Sequence, residues 1–188
     1  MKRIFDLIIA VLLLLIILLI PILAIAVLVR LTSRGPALYW SDRVGAGNGI
    51  FKMPKFRTMQ IDTPAVATHL LKDPDAHLTP IGPFLRKSSL DELPQLWSVL
   101  KGDMSFVGPP RPALFNQEDL IALRTEKGVH RLIPGITGWA QINGRDDIPI
   151  PKKVEFDVHY LEHRSLMFDL KILFLTLLKV LRREGVTH

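Results

Sequence analysis

The 188-residue sequence contains no cysteine. This absence excludes disulfide bonds, thiolate nucleophiles and cysteine-based zinc sites. The six histidines do not show the spacing of zinc ligands, so we predict no zinc site. Aromatic residues are also scarce, at 7%, and they do not alternate with basic residues as they do in stacking platforms for single-stranded nucleic acid. We therefore expect no nucleic-acid partner.

Internal repeats and low-complexity tracts are absent as well, whereas prolines are frequent, with 14 in the chain. Prolines end helices and interrupt central strands, which argues against a regular parallel sheet or a helix bundle. The composition favours an irregular, helix-rich α/β (α+β) fold with short strands. The formal net charge of +6 is spread along the chain, and by itself it suits an anionic membrane surface, anionic substrates or nucleic acid about equally well.

One long apolar run stands near the N-terminus, from Leu7 to Val29, and only Pro21 interrupts it chemically. Its 23 residues exceed the roughly 20 that a helix needs to cross a bilayer. No small-residue cleavage site closes the run, which argues against a signal peptide. Basic residues flank both ends: Lys2, Arg3, Arg30 and Arg34. A spanning helix and a re-entrant helix that turns at Pro21 with both ends cytoplasmic are equally compatible with this pattern.

A second apolar stretch, from Leu166 to Leu181, lies near the C-terminus and contains interspersed lysines. Its apolar arc is wider than a surface helix needs. The stretch fits either an amphipathic helix in the plane of a membrane interface or a helix that packs on the domain core. The residues alone leave both alternatives open.

The central segment carries two adjacent carboxylates, Asp91 and Glu92, at the predicted start of a helix. Ser89 and Glu92 match a capping box, which is a purely structural explanation. A carboxylate at a helix N-terminus also lies where backbone amides attract negative charge and phosphate. Carboxylates followed by an arginine set between prolines, Arg111, are the groups that phosphoryl transfer requires.

The rest of the body reads as short elements joined by loops. A glycine-rich turn at 45–49 lacks the spacing of a phosphate-binding loop, so we predict a β-hairpin there. The segment Lys55–Met59 presents cations at alternate positions, which is typical of a solvated strand face. We predict helices over Glu118–Lys127 and Lys152–His163.

Several motifs together resemble the monotopic phosphoglycosyl transferases of the bacterial sugar transferase family. After the apolar N-terminus they follow in the family's order: Lys55-Phe-Arg-Thr-Met59, Arg86, Ser89-Leu-Asp-Glu-Leu-Pro-Gln-Leu96, Lys101-Gly-Asp-Met-Ser-Phe-Val-Gly108, Pro110-Arg-Pro112, Pro134-Gly-Ile-Thr-Gly138, Gln141-Ile-Asn-Gly-Arg145 and Phe156-Asp157. The resemblance covers nearly the whole chain and corresponds to the minimal catalytic form.

The resemblance implies a monotopic membrane enzyme of the bacterial inner membrane with its active site on the cytoplasmic face. Residues 1–34 would form a membrane-inserted re-entrant helix, and residues 35–188 a membrane-associated catalytic domain with interfacial amphipathic helices. The implied partners are a UDP-sugar, undecaprenyl phosphate and the phospholipid membrane. The implied cofactor is Mg²⁺.

The resemblance also implies the chemistry, in which a sugar 1-phosphate moves from the UDP-sugar to the polyprenol phosphate. An aspartyl-phosphosugar intermediate would form in this first membrane step of glycoconjugate assembly. Carried over by position, Asp91 is the nucleophile and a magnesium ligand, and Glu92 is its catalytic partner. The remaining implied site residues bind substrate: Lys55, Arg86, Arg111, Arg145 and Asp157.

The sequence departs from the family pattern at two places. The family commonly has Ser-Pro at the break in its membrane helix, where this chain has Ile20-Pro21. One additional proline, Pro109, lengthens the turn before Arg111. The alternative function is a catalytically silent, membrane-attached protein that binds nucleotide sugars or glycan-assembly enzymes. The intact Asp91-Glu92 pair favours the enzyme.

Overall fold

A computed structural model of the chain describes residues 2–64, 73–109, 112–114, 116–144 and 148–182. The chain divides into two compact units, each built from two segments. The first unit comprises Met1–Tyr39 and Lys55–Pro94, and the second comprises Trp40–Pro54 and Gln95–His188. The predicted boundary after residue 34 separates a membrane-inserted helix from a catalytic domain. The division into two compact units does not test membrane insertion, so this boundary stays a prediction.

The first unit begins with helix α1, Lys2–Thr32, which is assigned as one continuous helix through Pro21. The C-terminal half of α1 contributes Ile25 and Val29 to a buried core with Phe56 and Leu85. These apolar contacts attach the end of the helix to the rest of the unit. Within the described residues, no helix combines the length and the apolarity required to cross a membrane.

The predicted hairpin is confirmed. Strand β1, Leu38–Val44, pairs with strand β2, Ile50–Phe56, and a 3₁₀ turn at Ala46–Asn48 connects them. Gly47 adopts φ +64° in this turn, a conformation that glycine reaches without steric cost. The glycine-rich segment is therefore a hairpin turn, as predicted.

Three short helices complete the first unit. A 3₁₀ helix forms at Asp75–His77, helix α2 spans Gly82–Lys87, and a second 3₁₀ helix, Leu90–Gln95, extends one residue beyond the unit. Pro83 occupies the first turn of α2, where its missing N–H costs little. The chain between the last two helices turns at Ser89, whose φ is +55°.

The described part of the second unit contains five more α-helices and a small parallel sheet. Strands β3 and β4 form a parallel pair in which Ser105 lies opposite Gly135 and Val107 opposite Thr137. The elements are α3 Leu96–Lys101, β3 Ser105–Val107, α4 Glu118–Glu126, a 3₁₀ helix Val129–Arg131, β4 Gly135–Thr137, α5 Trp139–Ile142, α6 Ile150–His163 and α7 Leu166–Arg182. Helices α4 and α6 confirm the helices predicted over Glu118–Lys127 and Lys152–His163.

The parallel pair explains two of the glycine-containing motifs. A Cβ atom at Gly135 would lie 2.3 Å from the backbone nitrogen of Gly108. Cβ atoms in proteins essentially never come this close to an atom to which they are not bonded. The two backbones come this close because neither glycine has a side chain. Motifs that lie 27 residues apart in the sequence are thus adjacent in the fold.

Helix α7 confirms one of the two alternatives for the C-terminal stretch, a helix that packs on the domain core, whereas its placement at a membrane interface stays a prediction. One side packs into a core, where Ile172 is fully buried and Phe168 and Leu175 lie against the same cluster. The helix also carries large exposed apolar side chains: Leu166, Met167, Leu170, Leu173, Phe174, Leu177 and Val180. An exposed apolar surface of this kind is typical of an interaction with a protein or a membrane.

The fold class predicted from the sequence is therefore confirmed at the level of architecture. The described residues form a helix-rich α/β structure with short strands and two two-stranded sheets. Membrane attachment and a re-entrant course of α1 stay predictions.

Candidate active site

The two adjacent carboxylates lie in the first turn of the 3₁₀ helix Leu90–Gln95. Asp91 is buried, with 9% of its surface exposed. Glu92 Oε1 accepts a hydrogen bond of 2.9 Å from Lys55 Nζ, and both of these side chains are 23% exposed. The predicted pair and the predicted lysine are thus brought together, in an ion pair shielded from most of the solvent.

The environment of Asp91 raises the pKa of its carboxyl group above the ordinary value. Burial is the largest cause, because it disfavours the charged form. Lys55 and Arg86 lower this pKa, whereas the neighbouring charge of Glu92 raises it further. Two cations and one anion therefore act on the same carboxylate, as expected where a nucleophile has to be ionised in a buried place.

Arg86 is held beside this pair by helix α2. Its Nε donates a hydrogen bond of 3.0 Å to Thr58 Oγ1. Burial lowers the pKa of the Arg86 guanidinium, and the negative charges of Asp91 and Asp75 oppose that effect. A partly buried arginine that carries several N–H donors in a fixed plane suits the binding of phosphate oxygens.

The burial of Arg57 differs from the exposure that its sequence pattern predicted. Arg57 is only 6% exposed, so the predicted solvated strand face is wrong at this position. Its Nε donates to Pro36 O at 2.7 Å, and its Nη2 donates to Ser33 Oγ at 2.8 Å. The carbonyl of Ser33 is a third acceptor, at 3.2 Å. A cation at the C-terminal end of α1 also complements the helix dipole.

The backbone at Ser89 explains how the carboxylates reach their places. A φ of +55° is uncommon for a residue other than glycine and costs conformational energy. The amide of Glu92 donates to the Ser89 carbonyl at 3.2 Å, and this starts the 3₁₀ helix. The prediction of a helix start is confirmed, although the helix is 3₁₀ rather than α. The Glu92 side chain bonds to Lys55, which the capping-box explanation did not anticipate.

Three further substrate residues were predicted. Arg111 and Arg145 are outside the described residues. Asp157 belongs to the second unit, in α6, and its side chain is 0% exposed. Its Oδ2 accepts bonds from Arg124 Nε at 2.9 Å and from Arg124 Nη2 at 2.8 Å. The sequence analysis did not single out Arg124, which lies in a helix that otherwise reads as polar surface.

The carboxylate pair is also the place to consider a divalent cation. No cluster of three or more acidic or histidine side chains converges within the described part of the chain. Mg²⁺ usually binds only one or two protein carboxylates and takes its other oxygens from water and substrate phosphates. Asp91 and Glu92 supply hard oxygen ligands in that number, so the residues present fit Mg²⁺.

Comparison with known proteins gives a consistent family. A sequence model described as bacterial sugar transferase matches residues 1–183. The sugar transferase EpsL of Bacillus subtilis (strain 168) is 47% identical over 188 residues, which cover 99% of this chain and 90% of EpsL. The UDP-glucose:undecaprenyl-phosphate glucose-1-phosphate transferase of Escherichia coli (strain K12) is 41% identical over 95% of this chain.

A third relative is the UDP-N-acetylgalactosamine-undecaprenyl-phosphate N-acetylgalactosaminephosphotransferase of Aeromonas hydrophila, which is 38% identical over 98% of this chain. The chain spans 40% of the length of the Escherichia coli relative and 44% of the Aeromonas relative. The resemblance that the motifs indicated is therefore confirmed over nearly the entire sequence. The chain belongs to the bacterial sugar transferase family.

Proposed function

We propose that this protein is a phosphoglycosyl transferase that moves a sugar 1-phosphate from a UDP-sugar to undecaprenyl phosphate. The observation that carries the proposal is the buried Asp91 next to the Glu92–Lys55 ion pair, with Arg86 close enough to influence its charge. The family supports the same reaction, because its named relatives transfer a sugar phosphate to undecaprenyl phosphate.

The proposed reaction has two steps. A carboxylate oxygen of Asp91 attacks the phosphorus that bears the sugar, and the bond from that phosphorus to the UMP oxygen breaks. UMP leaves with the bonding electrons, and a phosphosugar ester remains on Asp91. An oxygen of undecaprenyl phosphate then attacks the same phosphorus, and the Asp91 carboxylate departs unchanged.

The neighbouring charges have separate roles in this scheme. Asp91 has to be ionised to attack, and the positive charges of Lys55 and Arg86 favour its ionised form. Lys55 also holds Glu92 by a hydrogen bond, which supports the proposal that Glu92 is the catalytic partner of the nucleophile. Arg86 is proposed to hold the donor phosphates, and Arg111 and Arg145 are proposed as further substrate residues. Because Asp157 is fully buried, it would act on a substrate through Arg124.

Magnesium is the proposed cofactor, and Asp91 is its proposed protein ligand. When bound, Mg²⁺ neutralises charge on the phosphate oxygens and so lowers the cost of bringing a carboxylate to a diphosphate. The buried Asp91 supports this assignment, since its burial opposes the accumulation of negative charge.

Membrane attachment is proposed through both ends of the chain. Exposed apolar residues follow one another in the C-terminal half of α1, and α7 carries an exposed apolar surface of its own. We propose that α1 enters and leaves one leaflet of the inner membrane with Pro21 at its turn, and that α7 lies in the interface plane. Both substrates would then meet at the cytoplasmic face.

The direct test is an assay of the purified protein in nanodiscs with Mg²⁺, undecaprenyl phosphate and a panel of UDP-sugars. The names of the relatives make UDP-glucose and UDP-N-acetylgalactosamine the first donors to try. We expect release of UMP with at least one donor. Saturable binding of a UDP-sugar without UMP release would instead indicate the catalytically silent binding protein.

The topology has a separate test, because the chain has no cysteine of its own. Lys2→Cys provides one reactive thiol at the N-terminus. We expect protection from a membrane-impermeant maleimide in intact cells and labelling after the inner membrane is permeabilised. Labelling from the periplasm in intact cells would show that α1 spans the membrane.

A further inference from the structure

Thr58 occupies a position that the proposed reaction does not yet explain. The residue follows strand β2 and is only 7% exposed. Its side-chain oxygen accepts the hydrogen bond from Arg86 Nε. Its carbonyl accepts a second bond, of 2.9 Å, from the amide of Thr79. One residue therefore contacts the arginine beside Asp91 with its side chain and a neighbouring loop with its backbone.

The backbone of Thr58 also fixes the helix that carries Arg86. A Cβ atom at Gly82, the first residue of α2, would lie 2.4 Å from the Thr58 carbonyl oxygen. The helix start therefore lies directly against Thr58, and only glycine permits this approach. Arg86 follows four residues later, which places it on the same side of the helix as Gly82. The backbone and the side chain of Thr58 thus both contact helix α2.

The bond to Nε has a particular consequence for an arginine. The guanidinium group is planar, so an acceptor at Nε fixes the rotation of the whole plane about the side-chain axis. Bidentate recognition of phosphate depends on that orientation and not only on the presence of the charge. A lysine at position 86 would have no Nε and could not be oriented in this way.

We propose that Thr58 is a positioning residue whose hydroxyl sets the orientation of the Arg86 guanidinium beside the carboxylate pair. The inference deepens the proposed function and rests on it, since Arg86 is taken to hold the donor phosphates. Thr58 itself touches no reacting atom; it acts through Arg86.

Thr79 provides a matched control for the loss of a buried hydroxyl. It is 1% exposed, and its Oγ1 donates a long bond of 3.3 Å to the Thr58 carbonyl. Thr79→Val and Thr58→Val therefore remove the same group from the same unit at similar burial. Only Thr58→Val removes the hydroxyl that accepts the hydrogen bond from Arg86 Nε.

The kinetic experiment compares Thr58→Val, Thr58→Ser and Thr79→Val in nanodiscs by UMP release. We expect Thr58→Val to lower kcat/KM for the UDP-sugar about 100-fold, the order of loss when a substrate-binding group is misplaced by about 1 Å. The KM for undecaprenyl phosphate should not change. Thr58→Ser keeps the hydroxyl and should recover activity, and Thr79→Val should remain close to the wild type.

A double-mutant cycle separates orientation from general loss of structure. Because Arg86→Lys already lacks Nε, adding Thr58→Val to it should cause little further loss of kcat/KM. Additive losses, or equal losses in Thr58→Val and Thr79→Val, would show that Thr58 contributes only packing.

A spectroscopic measurement tests the inference independently of any activity. In ¹⁵N spectra, the Nε–H signal of Arg86 can be identified by its disappearance in Arg86→Lys. We expect slow hydrogen exchange at this Nε–H in the wild type and in Thr58→Ser, and fast exchange in Thr58→Val. Unchanged exchange in Thr58→Val would overturn the inference, whereas failure to release UMP in the wild type would overturn only the proposed reaction.

Discussion

Asp91 in the first unit and Asp157 in the second are both buried aspartates whose carboxyl pKa is raised chiefly by burial. Their surroundings differ. Arg124 directs two donors to Oδ2 of Asp157, and Oδ1 is buried without a hydrogen-bond partner among the described residues. Around Asp91 the charges are divided, since the hydrogen bond of Lys55 goes to Glu92 while Arg86 bonds to Thr58.

The difference shows that burial of a carboxylate does not by itself identify its role. A carboxylate bonded closely to one arginine joins two helices, here α4 and α6, and its charge is already compensated. At Asp91, two separate cations, Lys55 and Arg86, and a backbone hydrogen bond favour the ionised form. The pKa direction is the same in both cases, and the arrangement of donors separates them.

The largest effect expected from this comparison concerns turnover. Asp91→Asn keeps the shape of the side chain but removes the nucleophile, so we expect UMP release to fall by about 10³-fold or more. Mass spectrometry of the wild type with donor alone should show a phosphosugar adduct on Asp91. Retained turnover in a preparation shown to contain no deamidated Asp91 would refute the assignment.

Removal of metal is expected to have a similarly large effect on activity. Because the carboxylates of the first unit face a diphosphate in the proposed reaction, EDTA should stop UMP release and added Mg²⁺ should restore it. The assay should include calcium-loaded EDTA as a control for effects on the membrane. Full activity in the presence of free chelator would exclude a role for the metal.

Asp157→Ala is expected to act mainly on stability. The substitution removes the carboxylate that accepts two hydrogen bonds from the buried Arg124, and the free energy of unfolding should fall by about 3–5 kcal/mol. Chemical denaturation in detergent measures this change. The double variant Asp157→Leu, Arg124→Met should be less destabilised than Asp157→Ala alone.

The same variant tests whether Asp157 serves the substrate. If its role is to join α4 and α6, the folded fraction of Asp157→Ala should keep its KM for the UDP-sugar. A raised KM with an unchanged free energy of unfolding would assign Asp157 to substrate binding instead.

The smallest expected effect is the dependence of stability on pH. Because the folded state raises the pKa of Asp91, its protonated form stabilises the fold at low pH, and this contribution is lost as the pH rises through the raised folded value. The amide at position 91 in Asp91→Asn does not titrate in this pH range. Without metal, we therefore expect the variant to unfold at a higher temperature than the wild type at neutral pH.

The difference in unfolding temperature between Asp91→Asn and the wild type should shrink as the pH falls toward about 4, the ordinary pKa of an aspartate side chain. Thermal unfolding in EDTA across this range is the measurement, and Asp62→Asn at an exposed position is the control for the amide. A constant difference at all pH values would contradict the assigned pKa direction.

Local sequence patterns were sufficient for several elements of the fold. The glycine-rich turn predicted the hairpin, and spacing and helix-end signals predicted α4 and α6. Asp91 and Glu92 were recognisable because adjacent carboxylates at a helix start are locally encoded. The family was recognisable because several motifs occur in a fixed order along the chain.

Local sequence patterns did not predict the burial of side chains whose hydrogen-bond partners are distant in the chain. Arg57 looked like a surface cation because alternation in a strand shows only which residues share a face, and not what covers that face. Its acceptors, Ser33 and Pro36, lie more than 20 residues earlier. Arg124 was missed for the same reason, since its partner Asp157 is 33 residues away.

The sequence by itself determined the family, the hairpin, helices α4 and α6, and the presence of two adjacent carboxylates at a helix start, because these depend on local conformation and on the order of motifs. Only the tertiary structure decided which side chains meet: Lys55 with Glu92, Arg86 with Thr58, and Arg124 with Asp157. The physical reason is that burial and charge compensation are properties of packed surroundings, which segments distant in the sequence create together.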